Sequence, residues 1–183
     1  MKVLSVASEC VPFVKTGGLA DVVGALPASL AAQAVEMRTL LAGYPQVMAR
    51  LKSPEKIYER TELFGAAAWV MSERVDGIDL LVLAAPHLFN REGSIYLGPD
   101  GKDWPDTAEG IAPASKAPSL GSAKEDFHAD GAEYWGNVSA LKAGLNFATK
   151  LTTVSPTYAE ELMRPEFGMG MDGVLQRRRS DLS

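Results

Sequence analysis

The residues of this sequence whose types and spacing point most directly to chemistry are Lys15-Thr16-Gly17-Gly18-Leu19, with Asp21 just beyond. The loop follows a short apolar run and precedes a helical pattern. At such a junction the first N–H groups of the helix lack partners within it, and the positive end of the helix dipole faces outward; together these favour an anion. Gly17 and Gly18 let the backbone approach that anion closely, and Lys15 adds a full positive charge. A phosphorylated or nucleotide-bearing ligand suits such a seat. The alternative is a glycine-rich turn with a solvated lysine, in which Asp21 is a partner for the helix dipole and not an acceptor for a sugar hydroxyl. The spacing is neither G-x-G-x-x-G nor G-x-x-x-x-G-K-[ST], which sets aside the dinucleotide fingerprint and the NTPase phosphate loop.

Other chemistry-bearing types are sparse. His87 and His128 have no carboxylate or cysteine at metal-ligand spacing, so no metal site and no cofactor are expected. No Ser-His-Asp or Cys-His arrangement is visible. Cys10, the one cysteine, has mostly apolar neighbours and reads as a packing residue. Tyr96, Trp104, Tyr134 and Trp135 fall in loops or at loop edges, where a flat apolar ring either packs on the domain body or stacks on a sugar.

The elements that must position these residues follow from periodicity. Residues 3–8 form an apolar, partly β-branched run and predict a buried strand. Leu19, Val22, Val23, Leu26 and Leu30 recur at helical spacing, with a bend or restart at Pro27. Residues 37–41 predict a second strand, completing a β-loop-α-β unit that begins a parallel sheet. Residues 57–64, 66–73 and 78–84 predict three more strands, with Asp76-Gly77 as a hairpin turn. Residues 87–106 read as a long polar loop and residues 107–124 as linker. Val138, Leu141, Leu145 and Ala148 predict a helix, and residues 151–154 a short strand. Ser155-Pro156 supplies an N-cap and a first-turn proline for a last helix ended by Gly168. The expected class is α/β: an incomplete Rossmann-like parallel sheet with flanking helices plus a β-hairpin region.

Composition bounds the partners. The 183 residues carry 18 Lys plus Arg against 23 Asp plus Glu, a net charge of -5, which argues against nucleic acid and anionic membrane as partners. The run Arg177-Arg178-Arg179 reads as a solvated helix end. The single cysteine and the absence of a leader pattern or a long apolar run fit a cytoplasmic protein.

Longer stretches carry a family resemblance. K-V-L-S-V-A-S-E-C-V-P-F-V-K-T-G-G-L-A-D-V-V-G-A-L-P at the start resembles the opening of the glycogen and starch synthases that use ADP-glucose. A-P-H-L-F with G-S-I-Y, E-Y-W-G-N-V-S-A-L-K-A-G-L-N-F-A, T-T-V-S-P-T-Y-A-E-E-L and P-E-F-G-M-G-M-D-G-V-L-Q-R-R are similar to four further blocks, in the same order. The resemblance implies one half of a two-Rossmann-domain retaining glucosyltransferase, moving glucose from ADP-glucose to the non-reducing end of an α-1,4-glucan. It implies that Lys15 binds ADP-glucose, that Gly17 and Gly18 bring N–H groups to the donor, and that Asp21 orders the site. It also places Tyr96 in the region that binds the glucan acceptor.

Departures from the family pattern carry expectations too. Relatives of that kind continue past the block 101–106 through segments ending in H-A-H-D-W and T-I-H-N, whereas here the chain passes from Asp106 to Gly110-Ile111-Ala112-Pro113. That implies an internal deletion, with residues 1–106 as the first part of one partial domain, 107–124 as the junction and 125–183 as its last elements. It also implies that the family's catalytic groups lie in missing segments, including a C-terminal domain, that the chain is inactive alone, and that bare sheet edges promote self-association. Ala34 and Ala42 stand where relatives usually have Gly and Pro. A non-catalytic glucan- or partner-binding fragment, and a transferase with another nucleotide-sugar donor, remain as alternatives.

Overall fold

The computed structural model describes residues 1–102, 104, 111–113, 115 and 124–182. The chain divides into two compact units, Met1–Gly101 and Lys102–Ser183.

In the first unit the elements are β1 (Lys2–Val6), α1 (Leu19–Ala31), β2 (Glu36–Ala42), α2 (Pro45–Met48), β3 (Glu55–Leu63), β4 (Ala66–Val75), β5 (Ile78–Ala84) and α3 (Pro86–Phe89). The strands make one sheet in the order β1-β2-β5-β4-β3. β1, β2 and β5 run parallel, and β4 and β3 continue the sheet antiparallel. The hairpin region is therefore not an appendage, because β4 pairs directly with the central strand β5. Asp76 and Gly77 both take positive φ (51° and 85°), as the two-residue turn between β4 and β5 requires.

Side-chain alternation decides which face is covered. Met37, Thr39 and Leu41 of β2 and Ile78, Leu80, Val82 and Ala84 of β5 are buried. Of these, Leu41, Ile78, Leu80 and Val82 pack with Cys10, Phe13 and Val14 from the loop after β1 and with Val23 of α1. Among the described residues, β1 has a ladder partner on one side only. Its Leu4 and Val6 are 55% and 70% exposed, and Leu19 and Val22 of α1 are exposed as well. α1 is a single helix that contains Pro27, so the proline does not restart it. After α1 the chain turns at Ala34 with φ 58°, a left-handed conformation that glycine adopts without strain.

The second unit holds β6 (Ile111–Pro113), β7 (Glu133–Tyr134), β8 (Asn137–Ser139), α4 (Ala140–Phe147), α5 (Pro156–Leu162) and α6 (Asp172–Arg177). β6, β8 and β7 form a small antiparallel sheet in that order. Most of the linker expected at 107–124 lies outside the described residues, but 111–113 within it is strand, paired with Asn137–Ser139. Val138 belongs to β8 and not to the helix that its spacing suggested. Residues 151–154 form no strand; Leu151 makes one isolated bridge to Leu182. Ser155 caps α5 as expected, its side chain accepting from the Tyr158 N–H, but α5 ends at Leu162, well before Gly168.

Arg178 corrects the reading of the arginine run as solvated. Its guanidinium donates to the carbonyls of Leu145, Asn146 and Ala148 at 2.5–2.7 Å and to Asp181 at 3.0 Å, satisfying carbonyls at the end of α4. Among the described residues, no helix is long and apolar enough to cross a membrane.

Candidate functional site

The three parallel strands end at the same side of the sheet, where ligands of open α/β sheets bind. The loop leaving β1 is held there by its own packing. Cys10 and Val14 bridge each other, the Val11 N–H donates to the Ala20 carbonyl, and Cys10, Phe13 and Val14 enter the core. Gly24 of α1 lies so close beneath the loop that a Cβ would come within 2.5 Å of the Val11 carbonyl oxygen. Cys10 is wholly buried, and burial pushes its thiol up to about 11, so it is a packing group and no nucleophile at neutral pH.

Lys15 and Asp21 form a bidentate ion pair, with Nζ 2.8 Å from both carboxylate oxygens and both side chains about half exposed. Lys15 is therefore not simply solvated, and Asp21 neutralises it across the glycine pair. Gly18 stands at the N-cap of α1 with no side-chain cap.

Glu9 is the residue that reading the sequence missed. It is 3% exposed, and one carboxylate oxygen accepts from the Thr16 N–H (2.5 Å), the Thr16 hydroxyl (2.8 Å) and the Gly17 N–H (3.1 Å). Burial raises its pKa, but those three donors outweigh burial and hold the carboxyl below its ordinary value. Part of the expected anion seat is thus already filled from within the chain: the Gly17 N–H faces Glu9, while the Gly18 N–H, one residue on, is not part of that clamp. The only signal in the sequence was a single carboxylate amid apolar residues in the loop after β1.

Tyr96 reaches the same end of the sheet. Its hydroxyl lies 2.6 Å from the Ser8 hydroxyl, in the loop that carries Glu9 and Lys15. Tyr44, following β2, packs against the same core as Tyr96 and stands edge-on to Phe89 at 5.7 Å. Burial raises the Tyr44 phenol, with Tyr96 and Glu9 adding to the rise and Arg91 opposing it. The structure thus gathers Lys15, Gly17, Gly18, Asp21 and Tyr96 around one loop, with Ser8, Glu9 and Tyr44 added. A charged pair, a clamped glycine turn and a phenol are suited to holding a polar, anionic ligand. Nothing in the set forms a nucleophile–base pair.

Comparison with known proteins gives concordant results. A family model for the starch synthase catalytic domain matches residues 2–119 and 107–177. A glycogen synthase of Paracoccus denitrificans (strain Pd 1222) is 44% identical over 241 aligned positions, covering all of this chain and 52% of that protein. One from Roseobacter denitrificans is 40% identical over 242, covering all of this chain and 50% of that protein. The catalytic domain of starch synthase IV from Arabidopsis thaliana shares the fold at a TM-score of 0.73 and 21% identity, covering 99% of this chain and 50% of its own. The chain spans about half the length of the curated relatives it matches. Because 183 residues occupy 241 aligned positions, the Paracoccus protein also carries residues with no counterpart here. With the family model matched across both units and relatives aligned along the whole chain, this protein belongs to the glycogen and starch synthase family.

Proposed function

We propose that this chain is one half of an ADP-glucose-dependent glucosyltransferase that extends α-1,4-glucan chains at the non-reducing end, with the Lys15 loop on the donor side of its cleft. The observation that supports this most is Lys15, held by Asp21 over a glycine turn that Glu9 clamps at the carboxyl ends of the parallel strands. Lys15 meets the donor diphosphate by exchanging Asp21 for phosphate oxygens. The N–H of Gly18 and the start of α1 face the donor, because Glu9 already occupies that of Gly17. Tyr96, tethered by Ser8, contacts the acceptor. The Arabidopsis domain was solved with ADP and acarbose, which is in keeping with a nucleotide and a saccharide site in this fold.

The same reading makes the internal stretch that relatives carry fall between about residues 106 and 119, where the two family-model matches overlap. It makes the 183 residues inactive by themselves, since the transition state needs groups from both walls of a cleft. It includes a cytoplasmic location and self-association along the bare edge of β1. Calorimetric titration of the chain with ADP-glucose, UDP-glucose and ADP tests it. ADP-glucose and ADP bind, UDP-glucose binds more weakly, and Lys15→Ala abolishes binding without changing the circular dichroism spectrum. Equal binding by parent and Lys15→Ala would overturn the donor assignment, and glucan elongation by the purified chain would overturn the inactivity.

A further inference from the structure

The hairpin of β7 and β8 turns through two residues, Trp135 and Gly136, both at positive φ (50° and 79°). Such turns are ordinarily Asn-Gly or Asp-Gly, because the first residue must also be left-handed. A bulky side chain in that conformation is strained, and an outlier of this kind is a pointer to function. Burial does not offset the strain, since the indole is 85% exposed.

Beside the ring lies a cavity of about 320 Å³ lined by Glu133, Tyr134, Lys142, Gly170 and Arg177 as well as Trp135. Ligand pockets start at roughly this size. Tyr134 stands edge-on to Trp135 at 6.5 Å, and its hydroxyl lies where a Cβ on Gly170 would come within 2.4 Å. Each charged side chain of the lining has a polar partner, and Asp130 beside the lining adds a second carboxylate. Lys142 Nζ donates to the Glu133 carbonyl at 2.6 Å, Arg177 faces Asp130 at 3.6 Å, and the Glu133 carboxylate accepts from the Gly136 N–H at 2.7 Å. Two cations and two carboxylates offer donors and acceptors without surplus positive charge. That balance disfavours a phosphate-bearing ligand and suits a neutral, polyhydroxylated one with an apolar ring face.

We propose that Trp135 is the platform of a carbohydrate site on the second unit, stacking sugar rings while Glu133, Lys142 and Arg177 engage their hydroxyls. The choice of α-1,4-glucan as the carbohydrate rests on the function proposed above; the site shares no residue with the Lys15 loop. The test is a titration of the whole chain with maltoheptaose, followed by the indole N–H resonances of its tryptophans. The Trp135 signal shifts saturably while that of Trp69 stays in place. No shift at Trp135, or a larger response to inorganic phosphate than to maltoheptaose, overturns the proposal. Trp135→Asn gives the turn its preferred residue, so it melts no lower than the parent yet loses the maltoheptaose response at the Tyr134 and Gly136 amides. A lower melting temperature would show that the ring is packing support and overturn the proposal from the other side. ADP-glucose titration of the Lys15 and Gly18 amides in the same sample separates the two readings. A response there with none at Trp135 removes only this site, and the reverse removes only the donor assignment.

Discussion

Glu9→Gln tests whether the glycine loop is held by a charge. The parent carboxylate collects three donors on one oxygen at 2.5, 2.8 and 3.1 Å. Hydrogen bonds to a charged acceptor contribute about 1.5–3 kcal/mol each, against about 1 kcal/mol for neutral ones. Glutamine keeps the shape and one acceptor oxygen but removes the charge. Bonds that share an oxygen are not additive, so the net loss is about 2 kcal/mol. For a unit of this size that lowers its melting temperature by roughly 10 °C. The pH dependence carries the sharper information. The folded carboxyl sits below its ordinary value of 4.5, so the unfolded chain takes up the proton first. The advantage of the parent over Glu9→Gln is therefore full above about 4.5 and shrinks as pH falls through the lower, folded value. Urea unfolding of both proteins by circular dichroism, at neutral pH and at successive acidic steps, measures the gap. If the glutamine variant were equally stable at neutral pH, or if the gap stayed constant into acid, burial would at least cancel the three donors and the clamp would be wrong.

Three further outcomes follow from other positions. Arg178→Ala leaves the carbonyls of Leu145, Asn146 and Ala148 without their donor and costs about 3 kcal/mol. Arg178→Lys recovers less than half of that, because an ammonium cannot fork; amide exchange in α4 reports both. Ala34→Gly relieves a left-handed alanine and raises stability by about 1 kcal/mol in denaturant titration. Val6→Lys puts a charge on the bare edge of β1 and reduces the average particle size seen by light scattering, whereas Val70→Lys, on a strand paired on both sides, does not.

What could be read in advance was what is local. β1, α1 and β2 announce themselves by apolar spacing, and Asp76-Gly77 by turn chemistry, because those signals reside in a few adjacent residues. Val138 was misplaced because an inward residue of a short strand followed at once by a helix also falls on the helical spacing of Leu141 and Leu145. Leu151 failed as a strand because its one bridge is to Leu182, at the far end of the unit. Residues 111–113 were hidden because a three-residue strand has too little pattern and finds its partner some twenty-five residues later. The site divides the same way. Lys15, Gly17, Gly18 and Asp21 were visible as a motif. The Glu9 clamp and the Ser8–Tyr96 contact were not, since both depend on how an irregular loop folds back on itself.

Cys10 gives the loop a clock. Thiol reagents attack the thiolate, and this thiol is both fully enclosed and pushed up to about 11. At neutral pH, labelling must wait until the segment bearing Lys15 lifts away from the sheet. The labelling rate therefore reports how often that segment opens, and any ligand that settles on it slows the rate in proportion to its occupancy. With one cysteine in the chain, the measurement needs no engineered probe.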